Sequence, residues 1–376
     1  MIKKIVLTGG PCAGKTTAIQ RIVEEFEEKG LNVYVVPEAA TLLINMGLKP
    51  FGNNALSTIE FQKQIFDISF KLEKIAETVS KRSERDSIIL FDRGLVDSKA
   101  YMSEHEWKRL LRNYNIKDSN LFNKYDLVLH LRSVAWDKQE FYTLSNNKAR
   151  TESVTEARLL DMNTLHCWLG HHNLKILGND TSFDEKINRV IEGIYNEIEK
   201  PFPIQRQFKY LVSSVNEEEL YKNTNGISLN IEQYYIDNND SELFFRKITK
   251  DNDQSFKMIT KKDTEFNNER ITTQKGISEK EYYSNFSKDI LPVEKTRYCF
   301  EYNNCYYRLD TFDDGLKILE IEETNKTVDI DIPPFIEIEK EISNDKKYRN
   351  SYIYKMKNRS NNWSILFFLM YDLLFF

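Results

Sequence analysis

Gly9-Gly10-Pro11-Cys12-Ala13-Gly14-Lys15-Thr16-Thr17 decides the fold of the first half of this chain. A glycine-rich run ending in Gly-Lys-Thr has a chemical reading when a strand delivers it and a helix leaves it. Lys4-Ile5-Val6-Leu7-Thr8 reads as a short buried strand, and Ala18, Ile19, Ile22, Val23 and Phe26 recur at helical spacing. The run is therefore a phosphate-binding loop at a strand-to-helix turn. Gly9, Gly10 and Gly14 let backbone N–H groups curl around an anion, and the helix that starts near Lys15 turns its positive end to the same point. Lys15 is expected to reach the β- and γ-phosphates as a point charge. The Thr16 hydroxyl is expected to ligate a Mg²⁺ that otherwise keeps water and phosphate oxygens.

Outward from the loop, Gly30 closes the first helix and Asn32-Val33-Tyr34-Val35-Val36 reads as a second buried strand that ends in Pro37-Glu38. Ligands of open α/β sheets lie beyond the carboxyl ends of the strands, which points Glu38 toward the loop as a proton acceptor or a holder of Mg²⁺ through water. A long uninterrupted helix follows from Ile59 to Val79. Ser87-Ile88-Ile89-Leu90-Phe91-Asp92-Arg93-Gly94 is an apolar strand ending in an acid, so Asp92 is placed as the metal-side carboxylate, with Arg93 and Asp97 on the turn after it. Further buried strands are read at Tyr125–Arg132 and Leu174–Leu177, and a helix from Phe183 to Glu199 ends the domain. Arg150 and Arg158, in a polar stretch that leads into a helix, are candidates to neutralise charge on a transferred phosphoryl group. His166, His171 and His172 lack the spacing of a helical metal site and read as packing or surface residues.

The chain has 376 residues, which suggests two domains. Lys and Arg number 53 against 58 Asp and Glu, a net charge of −5, so no whole-molecule attraction to nucleic acid is expected and any anion site must be local. Four unpaired-looking cysteines, one of them inside the loop, and a strand at the very start favour a reduced, cytoplasmic protein. After Pro201 and Pro203 the texture changes to short β-rich segments, read as strands at 230–236, 242–249, 255–261, 294–302, 305–311 and 316–323. Arg246, Lys257, Lys295, Arg297 and Arg308 fall at alternate positions of these strands, so a closed antiparallel sheet would turn them inward as a phosphate pocket.

Four stretches of the first half, Gly9 to Thr17, Val36-Pro37-Glu38-Ala39, Phe91 to Asp97 and Arg150-Thr151-Glu152, together resemble the P-loop domain of NadR-type nicotinamide riboside kinases and of the TRPL translocation defect protein family. The Pro-Glu and Asp-Arg pairs are also similar to those of deoxynucleoside kinases. The second half resembles the CYTH, or triphosphate-tunnel, fold through Phe256-Lys257, Lys295-Thr296-Arg297, Leu309-Asp310 and Leu319-Glu320-Ile321-Glu322. In place of that family's E-x-E-x-K stands Pro203-Ile204-Gln205-Arg206-Gln207, so metal-assisted triphosphate hydrolysis is expected to be lost while anion binding survives. The fold expected is α/β, a P-loop NTPase domain with a mostly parallel sheet over 1–199. A CYTH-like antiparallel β domain over 203–354 and a basic then apolar tail over 355–376 follow it. The resemblance implies GTP binding, phosphoinositide binding, peripheral membrane association and a role in membrane protein traffic. A small-molecule kinase using ATP or GTP is the alternative.

Overall fold

The structure is a computed structural model and describes residues 1–48, 55–138, 140, 153–198, 204–236, 241–264, 269–286, 290–322 and 331–359. The chain divides into two compact units that part near residue 201.

The first unit is built on the strands β1 (Ile2–Thr8), β2 (Asn32–Val36), β3 (Ser87–Asp92), β4 (Leu127–Leu131) and β5 (Leu174–Leu177), joined in one parallel sheet of order β2-β3-β1-β4-β5. Its helices are α1 (Lys15–Glu28), α2 (Ala39–Asn45), α3 (Thr58–Ser80), α4 (Glu104–Asn113), α5 (Asp118–Phe122), α6 (Val154–Trp168) and α7 (Phe183–Ile198). A parallel sheet covered on both faces needs strands that are apolar throughout; every residue of β4 is buried, and so are Ile5 to Leu7 and Ile88 to Phe91. Ala18, Ile22 and Phe26 of α1 join Ile187, Val190 and Ile194 of α7 in one core with Ile5, Leu7, Ile88, Leu90, Leu127 and Leu129. The alternate residues of these strands meet an aromatic layer in which Tyr125 stands edge-on to Phe91 at 5.3 Å and to Trp168 at 5.5 Å. Each large side chain so buried contributes about 1.5–3 kcal/mol.

Local signals place the helix starts. Ser57, Ser103 and Ser153 each close a capping box with the Glu three residues on, which fixes the first turns of α3, α4 and α6. The reading of Asn32–Val36 as a buried strand is corrected: β2 is an edge strand, only Val36 is buried, and Val35 is 39% exposed. An apolar run announces a strand, but coverage of both faces depends on neighbours far along the chain.

The second unit is an antiparallel sheet of β6 (Ile204–Val215), β7 (Ile227–Ile236), β8 (Glu242–Lys250), β9 (Asp253–Asp263), β10 (Glu269–Gly276), β11 (Val293–Tyr302), β12 (Cys305–Phe312), β13 (Lys317–Glu322) and β14 (Ile336–Glu341). The order is β10-β9-β8-β7-β11-β12-β13-β6-β14, and β10 also pairs with β6, so all but β14 form a closed ring. Closure sorts side chains by parity. In β11, Val293, Lys295, Arg297 and Cys299 are buried, while Glu294 and Thr296 are exposed. The β11–β12 hairpin turns on Asn303 and Asn304, both left-handed at φ 49° and 61°, as a two-residue primed turn requires. Strands β6, β10 and β14 are polar and poorly alternating, which hides them from a sequence reading. Residues 350–359 are helical, so the segment past 354 begins within a helix; the apolar tail 360–376 lies outside the described residues.

Candidate functional site

The loop from Gly9 to Gly14 leaves the end of β1 and enters α1 at Lys15. Gly9 has φ 135°, and a Cβ there would lie 2.1 Å from the Leu131 carbonyl oxygen, so no other residue fits. Gly14 has φ 89°, and a Cβ there would lie 2.5 Å from the Phe183 ring. Cys12 is also left-handed, at φ 56°, and its thiol is in no disulfide. Asp161 of α6 holds the loop: its Oδ1 accepts from Gly10 N at 2.8 Å and Ser133 N at 3.2 Å. Its Oδ2 accepts from Arg132 at 3.1 Å and Trp136 Nε1 at 2.9 Å. Ser133 Oγ donates to the Pro11 carbonyl, and Lys186 Nζ donates to the carbonyls of Ala13 at 3.3 Å and Arg132 at 2.7 Å. Among the described residues, Lys15 Nζ makes only long contacts to the Gly9 and Gly10 carbonyls, 3.4 and 3.5 Å, and the Thr16 and Thr17 side chains are exposed.

Beside the loop stands an ionic cluster. β1 and β3 pair with Leu7 opposite Asp92, which sets that carboxylate next to the start of the loop. Arg93 follows at φ 72°, a conformation that costs a non-glycine residue about 1–3 kcal/mol and concentrates at functional sites. Its Nε donates to Glu38 Oε1 at 2.7 Å, and Thr41 Oγ1 donates to Glu38 Oε2 at 2.7 Å. Burial alone would raise the Glu38 carboxyl, but Arg93, Lys15 and the Thr41 bond outweigh it and hold it at about 2. Burial pushes Asp92 up against the pull of Lys15, and burial together with Arg93 brings the Lys15 ammonium down. Among the described residues Asp92 Oδ1 and Arg93 Nη1 have no hydrogen-bond partner. A carboxylate oxygen without a partner at the end of β3 and an exposed threonine hydroxyl at the start of α1 are the hard-oxygen donors that Mg²⁺ takes, so the residue types present fit that ion.

Inside the ring of the second unit, the five basic residues read from the sequence all line one face. Lys257, Lys295, Arg297 and Arg308 are buried and Arg246 is half-buried. Acids stand among them: Arg297 donates to Asp310 Oδ1 and Oδ2 at 2.6 and 2.7 Å and to Glu320 at 2.8 Å, and Lys295 bonds Asp310.

Residues 4–186 match the family described as an AAA domain. Among similar solved structures are the inorganic triphosphatase NE1496, 19% identical over 40% of this chain and 93% of that one with a TM-score of 0.29, and the PH1819 protein from Pyrococcus horikoshii OT3. The latter is 17% identical over 32% of this chain and 78% of that one, with a TM-score of 0.28. No curated protein matches the chain.

Within the first unit the structure brings together Gly9 to Thr17, Glu38, Asp92 and Arg93. Arg158 is engaged elsewhere: its Nε donates to the Ala135 carbonyl at 2.7 Å and its guanidinium lies 5.6 Å from the Trp136 ring. Arg150 lies outside the described residues. Asp97 accepts from Thr8 Oγ1, from Gly94 N at 2.7 Å and from Trp168 Nε1 at 3.1 Å, so it fixes the turn after Asp92. His171 packs against Trp168, its ring centroid 5.9 Å away. Sequence reasoning passes over Asp161 and Lys186. The available signal is an acid on the buried stripe of α6, where Ala157, Asp161, Thr164, Leu165 and Trp168 recur at helical spacing.

Proposed function

We propose that the AAA domain binds a Mg²⁺-nucleoside triphosphate, GTP or ATP, and that the second unit binds phosphoinositide or another polyphosphate. The chain then serves as a regulatory protein in membrane protein traffic. The observation that carries the nucleotide reading is the unpartnered Asp92 oxygen beside Lys15, at the end of the strand adjoining a loop where Gly9 has no room for a side chain. Thr16 and Asp92 would hold the ion, directly or through water, and Lys15 would meet the terminal phosphates. When bound, the ion supplies charge neutralisation at the β- and γ-oxygens. No helix among the described residues is long and apolar enough to cross a membrane, and the proposed location is the cytoplasm with peripheral contact to phosphoinositide.

Lys15→Ala is expected to weaken Mg-GTP and Mg-ATP binding by about 10- to 150-fold, the worth of a charge-assisted contact of about 1.5–3 kcal/mol. Calorimetry on the full chain measures it and ranks the two nucleotides. Unchanged affinity in the variant removes the loop from the proposal, and a marked preference for ATP counts against GTP.

The second reading is a small-molecule kinase acting on a nucleoside-like or other hydroxylated acceptor. It is favoured by one feature, the ionised Glu38 held by Arg93 and Thr41 beside the loop, where a proton acceptor for an attacking hydroxyl would stand.

A further inference from the structure

The phosphate loop leaves the middle strand of its sheet, so it has one side toward β3 and another toward β4. Glu38, Asp92 and Arg93, whose charges Lys15 feels, all come from the ends of β2 and β3. A triphosphate whose terminal phosphates meet Lys15 therefore points them toward β3. Ligands of open α/β sheets lie across the crevice beyond the strand ends. The rest of the nucleotide then runs the other way, over the end of the loop toward β4, β5 and the start of α7.

Phe183 stands at that end of the loop. It is the first residue of α7, and its ring covers Gly14: a Cβ on that glycine would lie 2.5 Å from the ring Cε2 and 3.0 Å from Cζ. The ring is nevertheless 44% exposed, and Phe183 is the one phenylalanine among the exposed large apolar side chains of the described residues. A scattered apolar residue in water needs no explanation; this one is a flat ring laid against the glycine that closes the phosphate loop.

The segment that carries the ring is pinned from behind. Arg189 donates to the Gly178 carbonyl at 3.2 Å, to both Asp180 carboxylate oxygens at 3.1 Å and to Thr181 Oγ1 at 2.9 Å. Asn179 Nδ2 donates to the Ser133 carbonyl at 3.0 Å, and Lys138 Nζ donates to the Thr181 carbonyl at 2.7 Å. Ser182 Oγ accepts from Glu185 N at 3.2 Å and so starts α7. Two of these anchors also hold the loop. Lys186 Nζ bonds Asn179 Oδ1 at 2.7 Å and the Ala13 carbonyl at 3.3 Å, and Ser133 bonds the Pro11 carbonyl. Ring and loop are fixed to one frame, so little ordering is left to be done when a ligand spans both.

We propose that Phe183 is the platform for the nucleobase: the base of the bound nucleoside triphosphate stacks on the exposed ring while its phosphates fill the loop. The proposal rests on reading the first unit as a nucleotide binder, and it adds which part of the ligand the start of α7 recognises. An aromatic face accepts any base, because every base has a π-face. The larger purine covers more of the ring than a pyrimidine does. Phe183 therefore sets the preference for a nucleotide over a bare phosphate chain and for a purine over a pyrimidine, and leaves the choice between GTP and ATP to other groups.

Calorimetry on the full chain with Mg²⁺ compares GTP, ATP, UTP and ribose 5′-triphosphate, which carries the sugar and phosphates but no base. The part of each affinity that Lys15→Ala removes is binding at the loop. The parent is expected to bind GTP and ATP more tightly than UTP, and UTP more tightly than ribose 5′-triphosphate. Phe183→Ala should weaken GTP and ATP by about 5- to 150-fold, the worth of one base stack, and leave ribose 5′-triphosphate within about twofold. Phe183→Leu keeps an apolar cover on Gly14 without a flat ring and should lose affinity in the same way. Phe183→Trp should keep it, and the emission of the introduced indole should be quenched by GTP and not by ribose 5′-triphosphate. A Leu variant with parental affinity, or an Ala variant that loses ribose 5′-triphosphate as fully as GTP, would mean that the ring only props the loop, and the platform falls. A parent that binds ribose 5′-triphosphate as tightly as GTP would also overturn the platform while leaving the loop in place. If the parent binds none of the four, the nucleotide reading falls and this proposal with it.

Discussion

Asp161→Ala is expected to destabilise the first unit by about 3–5 kcal/mol, because it breaks a buried ion pair with Arg132 and takes away the acceptor of Gly10 N, Ser133 N and Trp136 Nε1. For a unit of this size that is a melting-temperature drop of roughly 6–20 °C. The same change removes the acceptor of Gly10 N, so nucleotide affinity should fall even at temperatures where the domain stays folded. Asp161→Asn separates the two effects: the amide keeps an oxygen for Gly10 and Ser133 but loses the charge that answers Arg132. Burial alone would raise Asp161, yet His130, Arg132 and the Gly10 amide hold it well below the carboxylate range. A carboxyl whose folded pKa is depressed stabilises above its unfolded pKa and loses that contribution as pH falls through the folded one. The Asp161 contribution is therefore complete at neutral pH and erodes only in strong acid. Thermal unfolding with and without Mg-nucleotide decides the matter; an Ala variant as stable as the parent would mean the loop is held by other bonds.

Glu38→Gln should leave nucleotide affinity intact and, if the chain is a kinase, lower phosphoryl transfer by about 10²–10⁴-fold. The prediction follows from placement: the carboxylate is oriented by Arg93 and Thr41 and stands close enough to Lys15 to feel its charge. Because Arg93 and Lys15 hold the Glu38 carboxyl at about 2, it is ionised across the ordinary working range. The transfer rate should consequently show no acidic limb from this group until pH approaches that value. Labelled γ-phosphate offered with nucleosides and nicotinamide riboside is the measurement. Turnover that Glu38→Gln leaves unchanged would take the carboxylate out of the chemistry, and the absence of any labelled acceptor would leave the binding and regulatory reading in possession.

How much of this was legible beforehand differs from residue to residue. Gly9 to Thr17 announces itself because the reasons for its residue types are local: a turn that needs positive φ at Gly9 and Gly14, a strand before and a helix after. Asp92 is legible for a similar reason, as an acid at the end of an apolar strand run. The parity of Lys295 and Arg297 is legible because a strand alternates with period two whatever surrounds it. The partners of these groups are not. Arg93 and Glu38 are 55 residues apart in sequence, Gly10 and Asp161 are 151 apart, and the contacts exist only because the sheet order puts β2 beside β3 and β4 beside β1. The acids beside Lys295 and Arg297 arrive through the register of β12 and β13. Sequence by itself determined the phosphate loop, the parallel-then-antiparallel plan and which strand residues face inward, since turn geometry and backbone period act over a few neighbours. Tertiary structure alone decided which charges are answered and which are left for a ligand, since a charge is balanced by whatever lies within a few ångströms in space, however far along the chain it is.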